Sequence, residues 1–456
     1  MHRNPPDPSG ENILAADAAV ATWKEPPHWL PAVFHSLAYR NYSLLVIGQV
    51  SNSLAQWVDM VARPIMMIAL TGSAVQVGLV AMARGVPMLF LGPISGILAD
   101  RMDRRFLMLI AKVLSQVVNI AFTALILTGR LEIWHIYATA ILRSVLMAFD
   151  QPARQALLPS LVPPRLLVNA IALNSGSMQV VRIVSASLTG VMIAVWAKAF
   201  GFAEDDVRVF GGAYVLTVVA YAVAIIATYM LRVPAGGNAK HTNDSWGGSF
   251  LEGLRYVLHN PVILGILILL AVQTTFGMPY QSVFVPWLAI KVMDIGPEGA
   301  GMLIAVSGFG SLLGAMAVAA RGHLLRRRGL IILIALALYG GSLAALGLTS
   351  ALPLVGVIGL TLPLLPIITL FLVGLAQTSL MSMKNMVLLE DTPNDLRGRV
   401  MSFQSWDRGF QTLGGGLGGF AIAAMGGPFA LAAFGATCIL GALVVGILMP
   451  RLRNHN

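Results

Sequence analysis

The chain of 456 residues is 57% hydrophobic and only 11% charged, with a formal net charge of +10. Water-soluble domains carry about 25% charged residues, so this composition and a mean hydropathy of +0.78 exclude a soluble fold and point to an all-α polytopic membrane protein. The positive balance does not indicate a nucleic-acid binder: the basic residues lie in short loops between apolar stretches, where they orient a membrane protein, and no separate domain carries them.

In chain order, residues 1–42 open with MHRNPPDPSGENILAADAA, which has no apolar core behind its basic residue and reads as a cytoplasmic tail, not a cleavable signal. A spanning helix needs about 20 mainly apolar residues. Twelve such stretches follow, at 43–70, 75–99, 106–128, 134–153, 168–197, 210–231, 260–290, 299–320, 330–349, 361–386, 400–424 and 428–449. They group into one six-helix half at 43–231 and a second at 260–449, joined by a polar cytoplasmic linker at 232–259 and followed by a tail at 450–456. The end of the linker, SFLEGLRYVLHN, is expected to form a short amphipathic helix on the inner surface.

With both termini inside, twenty basic residues, Lys384 among them, fall in cytoplasmic segments, against Arg130, Lys198, Arg208 and Lys291 in outer loops. That excess orients the chain with its termini in the cytoplasm of an inner (plasma) membrane protein. The halves also read as repeats: LLPSLVPPRLLVNAIALNS at 157–175 lies over VLLEDTPNDLRGRVMSFQS at 387–405. Parallel repeats of this kind suit two halves that rock about a central site. The single cysteine, Cys438, can form no internal disulfide and is expected to pack within the last span.

Ionisable side chains at mid-membrane are costly unless paired or facing water, so each is a functional candidate. Asp59 and Arg63 stand four apart on the first helix, hence on one face and able to pair. Arg84, Arg143 and Arg182 fall near the middle or outer half of the second, fourth and fifth spans. On the seventh span Gln273, Phe276 and Tyr280 are candidates to line a cavity, while Trp287 suits helix packing or an interfacial belt. Lys112, near the start of the third span, is expected to snorkel to the surface. GGGLGGF at 414–420 sits mid-span with no following Lys-Ser/Thr, so it is a helix-packing stripe, not a phosphate loop. No metal-ligand spacing and no nucleophile elbow occurs in the sequence, so no metal, no cofactor and no enzymatic activity is expected.

Between the second and third spans stands GILADRMDRR, residues 96–105, whose charges confine it to a tight aqueous turn. With it come LAYRNYSLLVIGQVSNSLAQW at 37–57, LTGSAVQVGLV at 70–80, AFDQPARQALLPSLVP at 148–163, NAIALNS at 169–175 and DLRGRVMS at 395–402. In this order the phrases resemble the major facilitator superfamily, in particular its branch of bacterial drug and siderophore exporters (enterobactin-exporter-like and macrolide-efflux-like). The fifth span departs from that branch, reading VRIVSASLTG at 181–190 with no Gly-Pro pair after the arginine.

The resemblance implies a secondary active transporter that expels a small amphiphile in exchange for protons by alternating access, acting as a monomer in the lipid bilayer and driven by the proton motive force. It places helices 1, 2, 4 and 5 around the N-terminal side of a cavity, where the arginines would attract an anionic group. An apolar C-terminal half would receive a greasy body, as in a catecholate siderophore, an acidic antibiotic or a lysophospholipid. Asp59 would be the proton-coupling carboxylate, able to take up a proton when its partner Arg63 is displaced. A cytoplasmic gate would join the halves through Gly96, Asp100, Arg101, Arg104, Arg105, Asp150, Arg154, Asp407 and Arg408. A facilitator or proton-linked importer of a nutrient shares the same fold. A non-transporting receptor or subunit would need a partner-binding domain, and the sequence offers none.

Overall fold

A computed structural model describes residue 27 and residues 31–101, 104–203, 206–232, 255–321, 327–352, 355–357, 360–362, 364–392 and 407–453. Twelve long helices run through these residues. They are α1 (Arg40–Thr71), α2 (Ala74–Arg101), α3 (Arg104–Leu127), α4 (Ile133–Leu157), α5 (Leu167–Phe200), α6 (Gly211–Met230), α7 (Pro261–Val292), α8 (Gly296–Arg321), α9 (Arg328–Thr349), α10 (Leu364–Asp391), α11 (Asp407–Met425) and α12 (Gly427–Leu448). Eight of them, α3, α5 to α10 and α12, are long and apolar enough to cross a membrane.

Their boundaries follow local chemistry. The α7 N-terminus is capped by Asn260, whose side chain accepts from the backbone N–H groups of Val262 and Ile263 while Pro261 takes a position where no N–H is needed. At the other end of the bundle, α1 stops because Gly72 adopts a left-handed conformation (φ 60°) and turns the chain into α2. Large apolar side chains face outward along the bundle, as with Leu338, Phe429 and Ile447 at 61%, 65% and 73% exposure, which is the signature of a surface solvated by lipid rather than water. The protein is a multi-pass membrane protein.

Two details depart from the sequence expectation, and a third expected element is described only in part. The stretch before α10, expected to be helical from 361, holds a two-stranded antiparallel hairpin, Val355–Val357 against Leu360–Leu362. Lys384 is not a loop residue, because α10 continues to Asp391 and leaves its side chain only 1% exposed. The helix expected at the end of the linker is described only over 255–259, where Val257 is buried and Tyr256 donates to the Asp391 carbonyl at 3.1 Å, so this segment clamps the end of α10.

Helices α1–α6 pack into one half, through α1 on α6, α2 on α4 and α3 on α4; α7–α12 form the other, through α8 on α10 and α9 on α12. Two seams join the halves, α5 on α8 and α2 on α11. Both close at the end of the bundle away from the chain termini. A Cβ at Gly301 of α8 would stand 2.4 Å from the Ala186 carbonyl of α5, and one at Gly78 of α2 would stand 2.8 Å from the Gly415 carbonyl of α11. Only glycine allows backbones this near, as the GGGLGGF stripe suggests. Along the other half of α5 the side chains of Ile171, Ala172, Ser175 and Val180 are exposed and nothing stands within 4 Å of Gly176, so the seam is open toward the termini.

The Gly301 contact can be tested with a reporter at the buried Thr189 of α5. Overpacking costs about 1–3 kcal/mol, so Gly301→Val is expected to make a Thr189→Cys reporter react about tenfold faster with a water-soluble thiol reagent; the native Cys438 is buried and stays silent. Equal reaction rates with and without Gly301→Val would contradict the seal.

Candidate functional site

The helical pair expected on α1 forms, and it is the centre of a larger cluster. Arg63 donates from Nη2 and Nε to Asp59 Oδ1 at 2.7 and 3.1 Å. Its Nη1 reaches across to α4, donating to the Ile136 carbonyl at 2.6 Å and to Thr139 Oγ1 at 2.9 Å, and its guanidinium lies over the Phe122 ring of α3. Arg143 of α4 brings Nη1 to 3.1 Å from the same Oδ1, and Tyr214 of α6 donates to it at 2.9 Å. Asp59 therefore ties together α1, α4 and α6 through a single oxygen.

This cluster borders a cavity of about 220 Å³ whose wall includes Gln56, Asp59, Arg84, Arg143, Ser144 and Tyr221 from the N-terminal half and Ser282, Gln411 and Thr412 from the C-terminal half. Arg143 Nη2 donates to Tyr221 at 3.2 Å and its guanidinium lies over that ring. Arg84 of α2 makes no hydrogen bond or ion pair among the described residues, and the charged groups nearest it are Asp59, Arg63 and Arg143. Three guanidiniums thus surround one carboxylate, and the cavity holds an excess of positive charge. Pockets that enclose a drug-sized ligand have about 300–1,000 Å³; this volume fits a polar group rather than a whole molecule of that size.

Not all the expected residues meet there. Arg63 is fully buried behind Asp59 and does not reach the cavity wall. Arg182 turns the other way: from α5 it crosses to the second half, donating to Tyr280 of α7 at 3.1 Å and to Ser307 and Ser311 of α8 at 3.3 and 3.5 Å, with Trp57 of α1 beneath its guanidinium. Tyr280 donates on to Gln377 of α10 at 3.0 Å. Arg182 and Tyr280 are consequently a mid-membrane tie between halves, not cavity lining. Phe276 packs edge-on against Phe434, and Gln273 is buried against Lys384 of α10, which donates to its Oε1. The C-terminal half is therefore not the apolar receptacle that hydropathy suggested: Gln273, Tyr280, Gln281, Ser307, Ser311, Gln377 and Lys384 form a buried polar seam within it.

The expected gate is only partly described. The side chains of Gly96, Asp100, Arg101, Arg104 and Arg408 lie outside the described residues. Arg105 does not face the second half; it donates to the terminal carbonyls Thr228 and Tyr229 of α6, where a cation meets the negative end of a helix. Asp150 is bound at 2.7 Å by Lys112 of α3, with Arg154 at 3.9 Å, so this pairing stays inside the N-terminal half. Lys112 does not snorkel, since at 2% exposure its charge is held by that carboxylate. Asp407 stands at the first residue of α11, facing Lys384. Among the described residues no group of three or more His, Cys, Asp or Glu is placed to hold a metal.

A sequence profile of the Major Facilitator Superfamily matches residues 45–410. The multidrug efflux pump Tap of Mycolicibacterium fortuitum is 25% identical over 90% of this chain and 96% of its own. The enterobactin exporter EntS of Citrobacter koseri is 24% identical over 86% of each chain. Among solved structures, a D-xylose-proton symporter superposes with a TM-score of 0.71 at 13% identity, covering 92% of this chain and all of its own.

Removing one partner of a buried ion pair costs about 3–5 kcal/mol. Asp59→Asn is therefore expected to lower the thermal midpoint of the purified protein strongly, and a second change, Arg63→Met, to recover part of the loss. Equal midpoints for the native and Asp59→Asn proteins would contradict the pairing.

Proposed function

The chain belongs to the Major Facilitator Superfamily, and on that footing we propose that it exports a small anionic amphiphile in exchange for protons. The observation that carries this reading is the charge of the cavity: Arg84, Arg143 and the nearby Arg63 against Asp59 alone. Arg143 and Arg63 are held by Asp59, so Arg84 is the cation left to receive an anionic head group. A charged hydrogen bond of this kind contributes about 1.5–3 kcal/mol. The efflux activities named for Tap and EntS support the outward direction.

Transport proceeds by alternating access. The cavity wall draws on both halves, and the seams of α5 on α8 and α2 on α11 close one end while the other stands open. Rocking the halves would part Gly78 from Gly415, Gly301 from Ala186 and Arg182 from Tyr280, exposing the cavity to the far side. The protein works as a monomer in the inner membrane with its termini in the cytoplasm, the orientation that the basic loops favour.

Inside-out vesicles with an acidic lumen test the reading, using 1-anilinonaphthalene-8-sulfonate as an anionic probe. The native protein is expected to accumulate the probe in the lumen, and Arg84→Ala to raise its KM about tenfold while leaving an uncharged naphthalene analogue unaffected. Loss of probe from preloaded vesicles under the same gradient would indicate import instead.

A further inference from the structure

The proton that drives export needs a carrier that is satisfied both with and without its charge. Asp59 is poorly suited. Its Oδ1 is held by Arg63, Arg143 and Tyr214 together, and the two guanidiniums favour the ionised carboxylate over the protonated one. Asp150 is in a similar position, bound by Lys112 at 2.7 Å.

Lys384 stands apart. It is 1% exposed, and its one hydrogen bond among the described residues goes to the neutral Gln273 Oε1 of α7. The ionisable groups that face it are Asp407 at the start of α11 and the Cys438 thiol of α12, neither of them within ion-pair distance among the described residues. From α9 the Tyr339 hydroxyl faces Cys438 in turn; α8 contributes the hydroxyls of Ser307 and Ser311 farther along the seam. Beside the ammonium, Gln273 Nε2 is buried without a partner, and so is the Tyr339 hydroxyl.

A carboxylate partner fixes a lysine in its charged form, whereas an amide accepts through Oε1 and donates through Nε2. Gln273 can thus accept from the ammonium, as it does here, and after a half-turn of its amide donate Nε2–H to the free amine. That second state gives the orphaned Nε2 its missing acceptor. Gln273 also opens the first of three π-helical turns in α7, Gln273–Gly277, and such turns recur at functional sites.

We propose that Lys384 Nζ carries the coupled proton and that Gln273 is the positioning residue that satisfies it in both states. The proposal rests on the proton-coupled reading given above. In the cycle the ammonium gives one proton to water on the cytoplasmic side, and the neutral amine accepts from Gln273 Nε2–H. After the halves rock, the amine takes one proton from hydronium on the far side and Oε1 accepts again. Each transfer exchanges an N–H bond of the lysine for an O–H bond of hydronium, and each turn moves one proton inward as substrate moves outward.

The experiment compares proton-driven accumulation of 1-anilinonaphthalene-8-sulfonate with its counterflow, which needs no proton gradient, in vesicles holding the native protein or variants. Lys384→Gln, Lys384→Arg and Gln273→Glu are expected to keep counterflow within about twofold and to lose gradient-driven accumulation by tenfold or more. Asp59→Asn, which removes the one negative charge beside the cavity, is expected to bind the anionic probe no more weakly and still to respond to the gradient. Since a buried substitution can impair folding, proton release on probe binding is also followed with a pH indicator in detergent: the native protein releases protons and Lys384→Arg does not. Gradient-driven accumulation by Lys384→Arg at the native level would overturn the proposal, as would loss of the response in Asp59→Asn alone. A native protein that transports the probe without responding to the gradient would instead overturn the proton-coupled reading itself.

Discussion

A carboxylate buried among guanidiniums, Asp59 with Arg63 and Arg143, is the constraint on which the N-terminal half depends. Charges taken out of water are tolerated only when paired and hydrogen-bonded. Asp59 pairs with two arginines, while the peptide carbonyl of Ile136 and the hydroxyls of Thr139, Tyr214 and Tyr221 satisfy much of what remains. One anion cannot neutralise a third guanidinium, and Arg84 is left facing open space. The polar cavity is the physical consequence: a surplus charge in a membrane protein has to meet water or a ligand. The helices that carry the polarity, α1, α4 and α11, together with α2 supply most of the cavity wall.

The two halves meet through contacts of two kinds. Glycines on α2, α8 and α11 bring backbones together where the bundle is closed, so closure there depends on the absence of side chains. Midway along α5, Arg182 reaches neutral oxygens of α7 and α8 and makes no pair with a carboxylate among the described residues. A guanidinium tied only by neutral acceptors is held less firmly than one bound to an anion. That suits a contact that the proposed alternating access would break, whereas the anion-bound pairs Arg63–Asp59 and Lys112–Asp150 lie within one half and would persist through it.

Much of this was legible in the chain. The spans, the two halves and the Asp59–Arg63 pair follow from apolar length and from helical spacing, both local properties. Arg143 was legible as a mid-span charge, but Tyr214 was not, since a tyrosine in an apolar stretch looks like packing until its partner is known. The destination of Arg182 was hidden for the same reason: its ligands lie on helices far along the chain, and only the packing of α5 on α8 brings them near. Lys384 was misread because hydropathy ended its span at 386, while the helix runs on to Asp391 and buries it. The π-helical turns of α7 left only an indirect trace in Pro279 and Pro286, which cannot donate to a regular helical ladder.

The central claim is that residues from both halves border one aqueous cavity of positive potential. Single cysteines at Gln56 of α1 and Gln411 of α11, in a chain with Cys438 replaced by serine, measure this through their rates with anionic and cationic methanethiosulfonates, each divided by its rate with a free thiol. The account predicts that both positions react and that the anionic reagent is the faster at each. Faster reaction with the cationic reagent at both positions, or no reaction at Gln411→Cys, would contradict it.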